Sequence, residues 1–119
     1  MLTLVIYDIT SDRKRTKLAK YLEKHGLRRV QYSGFVGELN PNDRTILAKE
    51  AKRYITSLEK KIEEKEKEAD EPLSEKEIAK VKPDSIYVIP LCQRCARIGK
   101  IVSDQDISLI KEDEVTLID

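Results

Sequence analysis

The apolar run that opens the chain, Leu2 to Thr10 (LTLVIYDIT), delivers one carboxylate, Asp8, just as it stops. Its β-branched and aromatic side chains predict a strand buried on both faces. An acid at the end of such a strand is held on a rigid element, where a site is placed. Asp8 reads equally as a residue that turns the chain or caps the next helix.

After Asp8, any of Thr10, Ser11 or Asp12 can cap a helix over about Ser11 to His25, with Leu18, Tyr21 and Leu22 inward and Gly26 as its stop. Arg13, Lys17, Lys20 and Lys24 recur at spacings of three and four and share an outer face. Arg15 projects elsewhere, within a helical turn of the strand's end. Leu27 to Ser33 alternates as a strand, with Leu27, Arg29, Gln31 and Ser33 to one side and Arg28, Val30 and Tyr32 to the other. Gly34 marks a bend or bulge, and Phe35 to Leu39 reads as the antiparallel return.

Asn40-Pro41 begins a second helix, Asn40 as cap and Pro41 in the first position. Leu47, Ala51, Tyr54, Ile55, Leu58 and Ile62 predict one continuous core-facing stripe. Beyond Leu58 the sequence KKIEEKEKEADE has almost no apolar face, so this end is expected to project into solvent or to be partly disordered. Pro72 breaks it, and Ser74 to Glu77 has the capping-box pattern of a short helix through about Val81. Residues 59–83 thus read as a charged helical insertion. Ser85 to Leu91 is a further strand, placed at an edge by Pro90. Ile101-Val102, Ile107 to Ile110 and Val115 to Ile118 are short apolar pieces, read as edge additions to this sheet or to a partner subunit's. Strand, helix, strand, strand, helix, strand is the ferredoxin-like βαββαβ order, an α+β sandwich in one domain spanning 1–119, with 103–119 as a C-terminal extension and extra edge strand.

The 39% hydrophobic and 38% charged residues predict a small core, which oligomerisation often supports. Lysine and glutamate enrichment without tryptophan fits a thermophilic cytosolic protein or a solvated charged helix. The net charge of +1 hides a basic first third: from Arg13 to Arg29, eight cations face one acid, Glu23. Beside a rigid carboxylate this suggests a polyanion, nucleic acid being the commonest; the bland alternative is a solvated helix face. The N-terminal apolar run has no basic n-region and carries Asp8, so no signal peptide is expected, and nothing approaches the roughly 20 apolar residues of a membrane span. A cytoplasmic protein, not attached to a membrane, is the expectation.

Cys92 and Cys95 form a lone CxxC, half of a tetrahedral zinc site, which a dimer completes only if two copies meet near its axis. A redox pair usually opens a helix, whereas this one follows the last core strand; a structural turn or local disulfide is the plainer reading. The glycines are scattered singly and form no phosphate loop. His25, the only histidine, lies where a helix cap is needed. Asp8 alone cannot make a two-metal or paired-acid site, but two copies across a symmetry axis would suit Mg²⁺ (or Mn²⁺), which activates water at a phosphodiester.

The segments Ile6-Tyr7-Asp8-Ile9-Thr10, Arg15, and Gly26 through Phe35 (GLRRVQYSGF), with the later Ile86 to Cys92 and Cys95, resemble the CRISPR-associated protein two (Cas two) family. The resemblance covers most of 1–58 and about 84–102. It implies a homodimer whose first strands bring two Asp8 copies around a divalent metal. It further implies a role in CRISPR adaptation, bridging an integrase partner (Cas one) and holding new spacer DNA, with endonuclease activity on RNA or DNA in some members. It implies Asp8 as metal ligand, Tyr7 and Ser33 beside it as catalytic, and Arg15, Arg29 and Phe35 as placing substrate. The basic segment adds Arg13, Lys17, Lys20 and Arg28 as backbone contacts. Gly34 stands where the family usually has a bulky β-branched residue, Lys17 where some members have arginine, and 59–83 is longer than the family leads one to expect. The competing readings are a toxin-type RNA-cleaving enzyme using Asp8, and a non-catalytic RNA-binding module, which would show aromatics stacked on the sheet face.

Overall fold

A computed structural model describes residues 1–100 together with 102 and 109, so the expected C-terminal strand lies outside the described residues. Among the described residues four strands, β1 (Leu2–Asp8), β2 (Arg28–Gln31), β3 (Gly34–Glu38) and β4 (Ser85–Leu91), form one sheet in the order β2-β3-β1-β4 with every pair antiparallel. With α1 (Asp12–Lys24) and α2 (Pro41–Ala51) between them, this is the ferredoxin-like arrangement. Among the described residues β4 is an edge strand, as Pro90 leads one to expect.

The caps are local chemistry. Ser11 accepts from Lys14 N at the start of α1, and His25 closes its end with Nδ1 2.8 Å from Tyr21 O, followed by Gly26 at φ 84°. Asn40 accepts from Asp43 N at 2.7 Å with Pro41 in the first turn of α2.

β1 is fully covered on one face and, on the other, only at its start. Thr3, Val5 and Tyr7 are buried, while Leu4 and Ile6 are half-buried and Asp8 is exposed. Val5, Tyr7, Phe35, Ile86 and Val88 form the helix-side core with Leu18, Leu22 and Leu47. Ile86 and Val88 are only partly buried; each of the fully buried side chains contributes about 1.5–3 kcal/mol. On the opposite face a short helix, α5 (Gln93–Ile98), covers one end, where Ala96 clusters with Leu2, Val30 and Val36. Around Leu4 and Ile6, their β4 partners Ile89 and Tyr87 are left exposed.

The expected continuous helix is interrupted. After α2 a 3-10 turn (Lys52–Tyr54) leads into extended Ile55, and Ser57 caps a separate α3 (Leu58–Ala69) by accepting from Lys60 N. The apolar spacing runs unbroken through this point, but the serine cap starts a new helix axis. α3 does not project freely: Lys61 anchors it, with only 10% of its side chain exposed. It ends at Asp70 in the left-handed region, φ 53°, two residues before Pro72. The capping box of α4 (Glu75–Ala79) forms as expected, with both Ser74–Glu77 hydrogen bonds present. The alternation expected across Leu27 to Ser33 fails because β2 shifts register between Arg29 and Gln31.

Candidate nucleic-acid interface and the Asp8 pair

β1 delivers Tyr7 and Asp8 to opposite faces, because successive strand residues alternate. Tyr7, 3% exposed, lies in the helix-side core, stacked on Phe35 with centroids 6.3 Å apart and donating to Tyr32 O at 3.3 Å. Burial raises its phenol above the ordinary value, against the pull of the Arg29 and Arg15 charges. Ser33 touches this residue through its main chain: its carbonyl accepts from Tyr7 N at 3.0 Å.

Tyr7 forms the floor of a cleft of about 290 Å³ between α1 and β2, lined also by Arg15, Lys20, Glu23, Arg29 and Tyr32. Arg15 is fixed from behind, with Nη1 donating to Ile9 O at 2.8 Å and Thr10 O at 3.1 Å, and it pairs with Asp12. Its guanidinium lies 5.9 Å from the Tyr32 ring centre, and its Nε is buried with no acceptor among the described residues. Arg29 lies over the Phe35 ring at 5.0 Å. Phe35 itself is fully buried, so it supports Arg29 from beneath and presents no surface to a ligand.

The other expected cations are dispersed. Arg13 and Lys17 line a second cleft of about 460 Å³ with Lys14, Arg53 and Tyr54. Arg28, one residue before Arg29, belongs to the opposite sheet face and donates to Leu109 O at 2.5 Å. The structure thus brings together Tyr7, Arg15 and Arg29, with Lys20 beside them, and sets Asp8, Arg13, Lys17 and Arg28 elsewhere.

Asp8 is 53% exposed and held by Lys82, whose Nζ lies 2.5 Å from Oδ2. The carboxylate correspondingly raises the Lys82 pKa. Among the described residues no three His, Cys, Asp or Glu side chains gather to hold a metal. One carboxylate already occupied by an ammonium does not supply the donor set of Mg²⁺ or Mn²⁺.

The backbone carbonyl of Lys82 belongs to a centre that the sequence does not reveal. Lys61 Nζ donates to Asp84 Oδ1 at 2.5 Å, to Lys82 O at 2.6 Å and to Thr10 Oγ1 at 3.1 Å. Asp84 also accepts from Thr10 N and Thr56 N at 3.1 and 3.0 Å. Burial alone would raise the Asp84 pKa, but Lys61 and the two backbone N–H groups bring it below the ordinary value. The isolated lysine in a charged run gave no signal in the sequence, since its partner lies 23 residues on.

Cys92 and Cys95 are free and exposed. Contrary to expectation the pair does open a helix, α5: Cys92 is its cap and accepts from Cys95 N at 3.3 Å. That N–H lowers the Cys92 pKa, while the neighbouring Cys92 raises that of Cys95. No helix among the described residues is long and apolar enough to cross a membrane.

A profile of the family described as CRISPR associated protein Cas2 matches residues 1–70. The chain is 40% identical over 118 residues to the CRISPR-associated endoribonuclease Cas2 1 of Archaeoglobus fulgidus, covering 99% of this chain and 100% of that protein. It is 46% identical over 41 residues to a CRISPR-associated endonuclease Cas1/endonuclease Cas2 fusion of Thermoproteus tenax, covering 34% of this chain and 16% of the fusion. The crystal structure of Streptococcus pyogenes Cas2 superimposes with a TM-score of 0.55 at 18% identity, covering 87% of this chain and 100% of that one, a likeness of fold.

Proposed function

The chain belongs to the Cas2 family, and on that premise we propose that it is a nucleic-acid-binding homodimer of CRISPR adaptation, partnering a Cas1-type integrase and able to cut phosphodiester bonds through Asp8. The relatives' names support both halves: one is called an endoribonuclease, another is fused to Cas1. The observation that carries the reading in this chain is the Arg15–Arg29–Lys20 cleft beside the end of the strand bearing Asp8.

Phosphodiester cleavage develops negative charge on the phosphate, which preorganised cations stabilise. Arginine suits this work because its planar fork meets two phosphate oxygens at once. Among the described residues the buried Nε of Arg15 has no acceptor, a donor that an anion would complete. Arg29, braced by Phe35, presents a second guanidinium, and Lys20 adds a mobile charge at the rim. Tyr7 stays protonated at neutral pH and so orients the cleft rather than serving as a base.

The uncovered face around Leu4, Ile6, Tyr87 and Ile89 supports the dimer, since a second copy would bury it. Asp8 stands at the end of that face, so a twofold axis there brings two carboxylates together. Only such a pair, completed by waters and backbone carbonyls, would give Mg²⁺ or Mn²⁺ adequate donors.

The test is cleavage of single-stranded RNA and duplex DNA by nuclease-free preparations of wild type, Asp8→Ala and the Arg15→Ala/Arg29→Ala double variant. The reading expects Asp8→Ala to bind but not cut, and the double variant to bind weakly. Cleavage that survives Asp8→Ala, or binding indifferent to both arginines, overturns it.

A further inference from the structure

Tyr32 is a large ring at a position where turn chemistry asks for a small or short polar residue. It lies between the end of β2 at Gln31 and the start of β3 at Gly34, and it is 72% exposed. The turn is clamped to β1 by the main chain: Tyr7 Oη donates to Tyr32 O at 3.3 Å, and Tyr7 N donates to Ser33 O at 3.0 Å. A water-exposed ring is thus carried on a fixed backbone, where it forms part of the wall of the Arg15–Arg29 cleft. The Arg15 guanidinium lies 5.9 Å from the ring centre, and its buried Nε has no acceptor among the described residues. An aromatic face and an anion-seeking donor therefore stand side by side.

We propose that Tyr32 is the platform on which one unpaired base of a single strand stacks while Arg15 and Arg29 hold the adjoining phosphate. The inference rests on the nucleic-acid reading of this cleft and names the form of nucleic acid it takes. A phenol ring offers a base a flat apolar face, and every base has a face to match, so the contact is tolerant of sequence. Arg15 beside the ring adds cation–π attraction to the same layer. In a duplex each internal base is already stacked on its neighbours, and Tyr32 meets a base only after that base has been unpaired and turned out, which costs free energy. The phosphates, by contrast, are open to the arginines in either form. Tyr32 is accordingly the residue that favours single strands, and the arginines are the residues that do not discriminate.

The experiment reads fluorescence anisotropy on the full-length protein in EDTA, with probes of equal length: a single-stranded oligodeoxynucleotide, the same strand built of abasic residues, and a blunt duplex. Tyr32→Ala is expected to weaken binding of the base-bearing single strand about tenfold, the loss of one stacked base. It should leave the abasic strand and the duplex within about twofold of wild type and the salt slope unchanged, because no charge is removed. Tyr32→Trp keeps a stacking face and places a sole tryptophan in a chain that has none; its emission should be quenched by the base-bearing strand and not by the abasic one. If Tyr32→Ala weakens the abasic strand as much as the base-bearing one, the ring only props the cleft, and if it binds every probe like wild type, the ring is idle. Either result overturns the inference, and the cleft reading stands when Arg15→Ala/Arg29→Ala loses affinity for all probes in the same assay. If that double variant and Tyr32→Ala both bind like wild type, the inference and the cleft reading fall together.

Discussion

Lys61 of α3 and Asp84, just ahead of β4, meet at 2.5 Å with only 10% and 1% of their side chains exposed. The pair works because its remaining hydrogen-bonding capacity is used: Lys61 also donates to Thr10 and Lys82, and Asp84 accepts from two backbone N–H groups. Removing one partner leaves a buried charge without its counterpart, which costs about 3–5 kcal/mol. Lys61→Met and Asp84→Leu should each lower the melting temperature sharply, and the double replacement should lose less than the sum of the two, though still more than nothing because Thr10 N, Thr56 N and Lys82 O are left without partners. Circular-dichroism melts of the three variants check this; additive losses would contradict it.

The same pair sets an acid limit. Asp84 is held below the ordinary carboxylate pKa, so its ionisation stabilises the fold above the unfolded value of about 4, and that contribution is lost as pH falls through the lower folded value. Wild type should therefore lose melting temperature steeply below about pH 4. Asp84→Asn should melt lower at pH 7 yet fall less steeply below pH 4. Melts between pH 7 and 2.5 compare the slopes, and equal slopes would contradict the assignment.

Arg15 and Arg29 separate charge from geometry. Arg15→Ala removes one phosphate contact and should reduce the slope of log affinity against log salt by about 0.7–0.9. Arg29→Lys keeps the charge but loses the planar contact over Phe35; it should leave the slope unchanged while affinity drops several-fold. Fluorescence anisotropy across a salt series reads both.

Tyr7→Phe removes one buried hydrogen bond, to Tyr32 O, and should cost about 0.5–1.5 kcal/mol of stability. Because burial raises the Tyr7 pKa, its loss should not alter the shape of the cleavage pH profile below about pH 9, well under the ordinary tyrosine value. A new or missing limb in that range would make Tyr7 a titrating participant.

What could be read from residue order was what neighbours in the chain decide. Ser11, Asn40-Pro41 and the Ser74–Glu77 box cap helices through contacts three residues away, and each cap formed. Pro90 pointed to an edge strand for the same reason of main-chain chemistry. What escaped notice depends on residues brought together by the fold. The break before α3 was hidden because Tyr54, Ile55, Leu58 and Ile62 keep helical spacing across it, and only Ser57 betrays the new start. Lys61 looked like one solvated charge among many, and Lys82 gave no hint of Asp8, 74 positions earlier. Phe35 read as a contact residue, but β3 turns it into the core beneath Arg29. Cys92 is an unusual cap, so the helix it opens was missed.

The dimer across the open sheet face is the claim on which the rest turns, and cysteine crosslinking tests it most directly. In a Cys92→Ser/Cys95→Ser background, Asp8→Cys should form a covalent dimer rapidly under mild oxidation, because two copies meeting at the axis approach disulfide distance. Asp43→Cys, exposed at the first turn of α2 on the helix layer, should remain monomeric on a non-reducing gel. Crosslinking at position 43 but not at position 8, or at neither in a protein that elutes as a monomer, would contradict the account.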